Sequence, residues 1–303
     1  MLYDIIIIGG GPAGLTAALY ARRASKTVLV LEKAAFGGQI TYSPKVENIP
    51  GRSELSGNDF AAALVDQVID LGAELEPAEV IGIKVNPDGT KTVIADDGER
   101  TAKAVIIASG AEHRRLGIPG EEELIGSGIS FCAVCDGAFY RGKTVGVVGG
   151  GNSALQEALL LSDLAEKVYV VQNLDHLTGE AALQSRLAEK LNVEVITGSV
   201  VDSFLSDGTL SGIKIKKNSG ETRELKMEGL FVAIGLEPKN QAFADIIDLD
   251  AFGYADIDES TTTRTPGIFA AGDCRKKRIR QVTTACSDGA VAALAAVDYC
   301  DSF

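Results

Sequence analysis

The sequence contains few residues that could bind a metal ion. Five of its 303 residues are cysteines and two are histidines. Cys132 and Cys135 have the C-x-x-C spacing, but a structural zinc ion needs four ligands. The remaining candidates form no second pair of this kind: they are Cys274, Cys286, Cys300, His113 and His176. We therefore expect no metal site.

The N-terminal region also lacks a long hydrophobic run. The apolar stretch from Ile5 to Ile8 is four residues long and follows Asp4. A membrane span needs about 20 apolar residues, and a signal peptide needs a longer apolar region with positive charge before it. We expect neither, and we expect a cytoplasmic protein, in which paired thiols are more often catalytic or metal-binding than structural.

Positive charge is scarce. The chain has 29 basic and 42 acidic residues, for a net charge of −13, which disfavours binding to nucleic acid or to an anionic membrane. A local exception is the basic run, residues 275–280, in which five of six residues are Lys or Arg. It is either a solvated turn or a docking patch for an acidic partner or a cofactor phosphate.

The hydropathy pattern predicts an α/β protein with two domains. Two segments each read strand, glycine-rich turn, helix, strand: residues 3–33, with a helix near 13–24, and residues 144–173, with a helix near 153–163. This order is typical of the βαβ unit of a parallel sheet. The last fifty residues return to a strand, a turn and a helix, which indicates one domain interrupted by another.

Each βαβ unit contains a glycine loop of the dinucleotide-binding type. Gly9, Gly11 and Gly14 match G-x-G-x-x-G, and Glu32 stands where an acid binds a ribose hydroxyl. In the second loop, Gly149 and Gly151 are followed by Ala154, but the next strand ends in Gln172 and Asn173, which are neither acidic nor basic. Two such loops indicate a flavin enzyme with a site for a pyridine nucleotide.

The C-x-x-C pair has three interpretations: half of a metal site, an inert pair in a core, or a redox disulfide. Asp136 follows the pair directly and could move a proton on and off a thiolate, which is the attacking form of cysteine. This favours the redox interpretation, although a free cysteine also packs as a small apolar residue.

The pair belongs to the second domain, because it lies 14 residues before Gly149. A flavin in the first domain would have to meet both the disulfide and a nicotinamide carried by the second. If one region of the flavin serves both, they must alternate. We therefore predict a rotation of the domains, with hinges near residues 111–115 and 238–242.

The sequence resembles the low-molecular-weight thioredoxin reductases over nearly its whole length. The matching motifs are IIGGGPAGLTAALYARR, GGQI, VENIPG, IIASGAEHRRLGIPGE, CAVCDGAFYRGKTVGVVGGGNSALQEALLLS, FVAIGLEP and GIFAAGDC…RQVTTACSDGAVAAL. The resemblance implies a homodimer of two Rossmann-like domains per chain, the second inserted into the first. Residues 1–113 and 244–303 would bind FAD, and residues 114–243 would bind the second nucleotide.

The resemblance also implies which residues form the site. Cys135 would lie next to the flavin, Cys132 would attack the disulfide of the partner protein, and Asp136 would be the acid–base group. The residues expected to hold FAD are Gly9, Gly11, Pro12, Ala13, Gly14, Glu32, Lys33, Gly38, Gln39, Ile40, Asn48, Gly272, Asp273, Arg280, Gln281 and Val282. Those expected at the second nucleotide are Gly149, Gly151, Asn152, Ser153, Ala154, Gln172, Asn173, Ile234 and Gly235.

One departure from the family concerns the electron donor. Members that use NADPH end the second βαβ unit in His-Arg-Arg, with another Arg four residues later. The corresponding residues here are Gln172, Asn173, Leu174 and Thr178, so no cation stands there to pair with the 2′-phosphate. NADH is therefore favoured over NADPH.

The predicted function is that of a flavin-dependent disulfide reductase. Electrons would pass from a donor through FAD and the Cys132–Cys135 disulfide to thioredoxin or a thioredoxin-like protein. The alternatives are a reductase that takes electrons from ferredoxin, whose acidity would suit the basic run, a dithiol oxidase that uses oxygen, and a nucleotide-binding regulator. The second loop could also hold another nucleotide, even a second flavin.

Overall fold

The computed structural model describes residues 1–43, 46–52 and 55–303. These residues form two compact units: unit 1 comprises Met1–Glu112 and Glu237–Phe303, and unit 2 comprises His113–Leu236. Unit 2 is thus inserted into unit 1 along the chain, and each unit contains a sheet with neighbouring parallel strands and helices packed on it. The predicted fold class is confirmed.

The first part of the chain contains two helices and seven strands among the described residues. In order they are β1 (Leu2–Ile8), α1 (Pro12–Arg23), β2 (Val28–Glu32), α2 (Gly57–Asp70), β3 (Glu74–Pro77), β4 (Val80–Val85), β5 (Lys91–Ala95), β6 (Gly98–Ile107) and β7 (Ala111–His113).

The middle of the chain forms four helices and nine strands. They are α3 (Glu121–Leu124), β8 (Ile129–Ser130), α4 (Ala133–Asp136), β9 (Thr144–Val148), α5 (Asn152–Ser162), β10 (Lys167–Val171), α6 (Ala181–Ala188), β11 (Val193–Ile196), β12 (Ser199–Ser206), β13 (Leu210–Lys217), β14 (Thr222–Lys226), β15 (Gly229–Val232) and β16 (Leu236–Pro238). The C-terminal part adds β17 (Ile268–Ala270) and α7 (Val282–Asp301).

The main sheet of unit 1 has the order β3-β2-β1-β6-β5-β4, and β17 also pairs with β6. All pairings among β3, β2, β1, β6 and β17 are parallel. The pairings of β5 with β6 and of β4 with β5 are antiparallel. The long strand β6 joins the parallel and the antiparallel parts of this sheet, because its first half pairs with β5 and its last three residues pair with β17. The C-terminal segment is thereby held in the first domain.

Alternate residues of β1 pack on opposite faces of this sheet, as the period of a strand requires. Ile5 and Ile7 face a core built with α1 and α7, and Ile6 and Ile8 face a second core that includes Phe243. The two helices pack closely where Gly289 meets Ala13, since a Cβ at Gly289 would lie 2.1 Å from the Ala13 carbonyl oxygen. Only glycine allows this approach.

Unit 2 has a fully parallel sheet of order β11-β10-β9-β15-β8 and a separate antiparallel sheet of order β12-β13-β14. α5 packs against β9 and β10 and completes the second βαβ unit. One apolar cluster of unit 2 lies around α5, and another joins the sheet to the β12–β14 layer.

The second boundary between the units differs from the predicted one. The chain passes from unit 1 to unit 2 at residues 112/113 and returns at 236/237, whereas the sequence pattern placed the return at 243/244. Residues 237–243 belong to unit 1 because their side chains pack there. Asn240 is buried and donates to the carbonyl oxygens of Gly253 and Cys274, and Phe243 lies in the second core of unit 1.

None of the helices in the described part of the chain is long and apolar enough to cross a bilayer.

Candidate active site

The carboxyl ends of the parallel strands of unit 1 bring together most of the residues expected to bind FAD. Ile8 of β1 lies beside Leu31 of β2 and beside Ile107 of β6, and Ile107 in turn lies beside Ala270 of β17. The segments that follow these strands therefore meet at one edge: Gly9–Gly11, Glu32–Lys33, Ala108–Gly110 and Ala271–Asp273. Ligands of open α/β sheets bind at such an edge. Residues 108–110 were missed as site residues in the sequence.

Glycine is required at two positions of the first loop. Gly9 has φ +108°, and a Cβ there would lie 2.3 Å from the Ala108 carbonyl oxygen. A Cβ at Gly14 would lie 1.9 Å from the Gly9 carbonyl oxygen. Gly11, by contrast, faces open space at the start of α1 and has no side chain to cap the helix. The start of α1 is therefore left without a side-chain cap, as at helix N-termini that bind phosphate.

Glu32 holds the loop through its carboxylate. Oε2 accepts a hydrogen bond from the Gly10 backbone N–H at 2.7 Å, and Oε1 accepts one from Ala34 at 2.9 Å. Each carboxylate oxygen has a second lone pair that can accept a hydroxyl. Glu32 is thus positioned by the loop with capacity to bind a ribose.

Asp273 has an unsatisfied buried oxygen. It lies in a short 3-10 turn after β17, and its Oδ1 has no hydrogen-bond partner within the described part of the chain. Burial raises the pKa of Asp273, although the charges of Lys277 and Arg280 act in the opposite direction. A buried polar atom without a partner is costly, so this oxygen has free capacity to accept a hydrogen bond from a bound molecule.

Other expected FAD residues border the same loop. Gly37 donates to the Gly10 carbonyl oxygen, and a Cβ at Gly38 would lie 3.1 Å from Gly11 Cα. Gln39 and Ile40 follow in a 3-10 helix, Gly38–Tyr42, in which Gln39 donates to the Ala111 carbonyl oxygen. Asn48 donates to Gln281, which precedes Val282 at the start of α7. Lys33 instead forms an ion pair with Glu112.

Three of the five basic residues in the basic run are paired with acidic side chains. Arg275 is buried and pairs with Asp288 and Glu259, and Lys277 is also buried and pairs with Asp288. The exposed Lys276 pairs with Asp256. Arg280 lies 4.3 Å over the ring of Tyr254. Neither a solvated turn nor a docking patch describes Arg275 and Lys277, because their charges neutralise acidic side chains distant in the sequence.

Cys132 and Cys135 form a disulfide within unit 2. Cys132 precedes the short helix α4, and its Sγ accepts a hydrogen bond from the Cys135 backbone N–H at 3.2 Å. The remaining cysteines, Cys274, Cys286 and Cys300, are free thiols. Two inert free thiols are therefore a wrong interpretation of the C-x-x-C pair.

Asp136 lies half-buried beside this turn. Its Oδ2 accepts a hydrogen bond from the Ser130 hydroxyl at 2.6 Å, and the Ser130 oxygen also accepts from the Cys132 N–H. Its Oδ1 has no hydrogen-bond partner among residues whose placement is described. Burial raises the pKa of Asp136, and the Ser130 hydrogen bond opposes the rise. Such a carboxyl binds a proton more readily than an exposed aspartate.

Glu157 is a second half-buried acid, on the helix packed against α4, and it was not recognised in the sequence. It lies on α5, which packs against α4, and burial raises its pKa to about 7. One signal could have revealed it, since an acid among Ala154, Ala158 and Leu161 interrupts the apolar face of a helix.

The second glycine loop resembles the first but lacks its carboxylate. Gly149 has φ +134°, and a Cβ there would lie 2.5 Å from the Ala233 carbonyl oxygen. Beneath the loop lies the buried side chain of Gln172, whose Nε2 would be 2.4 Å from a Cβ at Gly150. β9 and β15 are neighbours, so Ile234 and Gly235 follow at the same edge as the loop.

Residues 172–180 fold back over this loop. The N–H groups of Thr178 and Gly179 donate to the Gly150 carbonyl oxygen. The Asn152 side chain donates a hydrogen bond to the Glu180 carboxylate and accepts one from the Glu180 backbone N–H. Ser153 is exposed and Ala154 is buried at the start of α5. The residues at the positions of the missing arginines, Asn173, Leu174 and Thr178, are exposed.

Each of the two units carries a glycine loop at the carboxyl edge of parallel strands, and unit 2, which is inserted into unit 1 along the chain, also carries a C-x-x-C disulfide. These features define a class of dinucleotide-dependent disulfide oxidoreductases. The chain belongs to the pyridine nucleotide-disulphide oxidoreductase family, whose model matches residues 3–289.

Similar proteins agree with this assignment. The chain is 41% identical over 300 residues to a thioredoxin reductase of Listeria monocytogenes, covering 98% of this chain and 94% of that protein. It is 43% identical over 298 residues to a 34.2 kDa protein in a rubredoxin operon of Clostridium pasteurianum, covering 98% and 96%. The crystal structure of thioredoxin reductase from Streptococcus pyogenes matches with a TM-score of 0.94 at 39% identity, covering 100% and 99%. The predicted family and enzyme class are confirmed: this chain is a thioredoxin reductase-like flavin disulfide oxidoreductase, and its family implies FAD and a pyridine nucleotide.

Proposed function

We propose that this enzyme reduces the disulfide of thioredoxin or a thioredoxin-like protein with electrons from NADH, used in preference to NADPH. The observation that carries the proposal is the Cys132–Cys135 disulfide beside the half-buried, partly unsatisfied carboxyl of Asp136. A disulfide that only stabilised the fold would need no proton-holding group at this position.

The residues of unit 1 fit FAD. Gly9 and Gly14 keep the first loop tight, Gly11 leaves the start of α1 open to a pyrophosphate, and Asp273 has an unsatisfied oxygen for a hydroxyl. When bound, FAD supplies a carrier that accepts two electrons from a nicotinamide and donates them to a disulfide. In this proposal the remaining predicted FAD residues also bind the cofactor.

The roles of the disulfide residues follow from thiol chemistry. Reduction of the pair takes two electrons and breaks the S–S bond, and one sulfur takes up a proton. Asp136 is assigned the delivery and removal of this proton, because its burial favours the protonated carboxyl. Cys132 attacks the disulfide of the partner protein, and Cys135 then attacks Cys132 to close the ring again.

The second glycine loop supports binding of a dinucleotide at unit 2. Gly149 and Gly151 keep the close approach of backbone that a pyrophosphate needs, and Ala154 packs the helix on the strand. The neutral residues Gln172, Asn173 and Leu174 offer no bidentate partner to a 2′-phosphate, whereas the exposed amide of Asn173 can bond to hydroxyls. NADH is therefore the proposed donor.

Ferredoxin is a weaker candidate for the donor than the sequence indicated. The charges of Arg275, Lys276 and Lys277 are paired with acids of unit 1, so these three residues offer little unneutralised charge to an acidic protein. The proposal also includes a cytoplasmic homodimer and an alternation of the two units about hinges near 111–115 and 238–242.

Anaerobic titration tests the donor and the function together. NADH, NADPH and reduced ferredoxin are added in turn to the purified enzyme, and the flavin absorbance is followed. We expect NADH to bleach the flavin at the lowest concentration, and thioredoxin disulfide to restore the colour. Bleaching by reduced ferredoxin alone would reject NADH as the electron donor. Rapid recolouring by air but not by thioredoxin would favour a dithiol oxidase, and a protein without flavin would reject the function.

A further inference from the structure

Asn240 carries a fully buried amide that joins three separate segments of unit 1. It is 0% exposed, and its Nδ2 donates hydrogen bonds to the carbonyl oxygens of Gly253 at 3.0 Å and Cys274 at 2.7 Å. Its Oδ1 accepts a hydrogen bond from the Ser109 hydroxyl at 3.0 Å. The Cys274 oxygen also accepts from the Ala255 N–H. Carbonyl oxygens only accept, so an ionised aspartate could make neither of the bonds at Nδ2.

Ser109 connects Asn240 to the first glycine loop. It follows β6 in the segment 108–110, which lies at the carboxyl edge of the sheet. This segment touches the loop directly, because a Cβ at Gly9 would lie 2.3 Å from the Ala108 carbonyl oxygen and 3.2 Å from the Ser109 nitrogen. A shift of Ser109 would therefore displace the loop at Gly9, since so close a contact leaves no free space.

The turn that carries Asp273 is held at both ends. At its start, the Gly272 N–H donates to the Asp288 carboxylate at 3.0 Å, and at its end the Cys274 carbonyl oxygen accepts from Asn240. Between these points, Asp273 Oδ1 is buried and has no hydrogen-bond partner in the part of the chain that the structure describes. The position from which this oxygen can accept a hydrogen bond therefore depends on Asp288 and Asn240.

We propose that Asn240 is a positioning residue for FAD, which keeps Asp273 at a fixed separation from the first glycine loop. The inference rests on the proposed binding of FAD by unit 1. The glycine loop and Asp273 have to meet the same bound cofactor, at its pyrophosphate and at a hydroxyl. The hydrogen bonds of Asn240 hold both segments in place beforehand, so that binding does not have to order them. The sequence pattern placed Asn240 near a hinge and assigned it no part in the site.

This role predicts an interaction between two substitutions. If Asn240 acts by holding Asp273, its hydrogen bonds matter for FAD affinity only while the Asp273 carboxylate is present. The effects of Asn240→Leu and Asp273→Ala on FAD affinity should therefore be strongly non-additive, whereas a general loss of stability would add to the loss of the carboxylate. Leucine has about the size of asparagine and forms none of its side-chain hydrogen bonds.

The test measures the FAD affinity of the full chain from the fluorescence of flavin released as the holoenzyme is diluted. Asn240→Leu and Ser109→Ala are each made in the wild-type chain and in Asp273→Ala. We expect Asn240→Leu to weaken FAD binding by about tenfold and Ser109→Ala by about fivefold in the chain that retains Asp273. In Asp273→Ala, itself weaker by at least about tenfold, either change should weaken binding by less than about twofold.

Thr265→Val is the matched control. It removes a half-buried hydroxyl that donates to the Ile246 carbonyl oxygen, at the amino end of β17 and away from the carboxyl edge. This variant loses a hydrogen bond of the same kind as Ser109→Ala and should keep the FAD affinity of the wild type. An equal loss of affinity in Thr265→Val would assign the effect to stability and overturn the role of Asn240.

The remaining outcomes separate this inference from the proposed function. A wild-type chain that holds no FAD rejects the FAD site and the role of Asn240 with it. FAD binding that Asn240→Leu and Ser109→Ala leave unchanged rejects only the role of Asn240, as do losses equally large with and without the Asp273 carboxylate. If Asn240→Leu does not fold, the Ser109→Ala pair decides, because Ser109 is half-buried and its removal leaves both bonds at Asn240 Nδ2 intact.

Discussion

Arg275 and Asp288 form an ion pair in the interior of unit 1, with Arg275 Nε 2.7 Å from Asp288 Oδ2 and the two side chains 2% and 6% exposed. Asp288 also accepts hydrogen bonds from Lys277 and from the Gly272 backbone N–H. One buried carboxylate on α7 therefore fixes the basic run and the turn that carries Asp273.

We expect Asp288→Asn to lower the free energy of unfolding by about 3 kcal/mol, because it leaves the Lys277 side chain without its counter-ion and leaves buried Arg275 paired with the exposed Glu259 alone. Chemical denaturation at pH 7 measures this change. The control Asp256→Asn removes the exposed partner of Lys276 and should leave the stability unchanged within error. Equal losses in the two variants would contradict the account.

The Asp288 carboxylate also makes the free energy of unfolding depend on pH. Burial alone would raise the pKa of Asp288, but the hydrogen bonds from Arg275 and Lys277 outweigh it and hold the pKa below the ordinary value of 3.8. Its stabilising effect is thus present above that value and is lost as the pH falls through the lower folded pKa. The stability difference between wild type and Asp288→Asn should be constant from pH 5 to 7 and shrink in stronger acid.

Asp273→Asn should weaken FAD binding by about tenfold, the effect of losing one good hydrogen bond to a hydroxyl. The FAD-free variant should be at least as stable as the FAD-free wild type, because burial raises the pKa of Asp273 and so disfavours the ionised form in the fold. Release of flavin fluorescence and thermal unfolding measure the two effects. A variant that loses stability but keeps its FAD affinity would contradict the assignment.

Asn173→Arg with Leu174→Arg should raise kcat/KM for NADPH by about tenfold or more and change kcat/KM for NADH much less, since a guanidinium pairs with the 2′-phosphate. The matched control places two arginines on exposed positions of α6, Ser185→Arg with Ala188→Arg. If both variants improve NADPH use equally, the gain comes from net charge and residues 172–178 do not face the ribose.

Local patterns were sufficient to predict most of the fold. The strand before each glycine loop, the helix after it and the C-terminal return produced the inserted architecture, and α1 and α5 begin within one or two residues of their predicted starts. The second domain boundary could not be read in this way. It depends on Asn240, whose partners Gly253 and Cys274 lie far along the chain.

The site residues likewise divide into those that local patterns predict and those that depend on long-range packing. The positions of Gly9, Gly149 and the C-x-x-C pair follow from spacing, because such motifs are local, and Asp136 favoured a disulfide for the pair. The pairing of the basic run with Asp288 and the burial of Glu157 depend on the packing of whole elements. A charge run looks exposed in a sequence, and only the fold shows that Lys277 is enclosed.

Cys135→Ser should keep bound FAD, but its rate of thioredoxin reduction should fall by at least about a thousandfold. No second thiol remains to complete the thiol–disulfide exchange. Cys300→Ala, which changes a free thiol outside the disulfide, should retain turnover. Coupled reduction of thioredoxin measures both, and near-normal turnover in Cys135→Ser would reject the assignment of Cys135.

The central claim is that electrons from the donor open the Cys132–Cys135 disulfide. The most direct measurement reduces the enzyme anaerobically with NADH, traps thiols with an alkylating reagent and locates the label by mass spectrometry. The account predicts new label at Cys132 and Cys135 and unchanged labelling of Cys274 and Cys300. A bleached flavin with the disulfide still intact would contradict it.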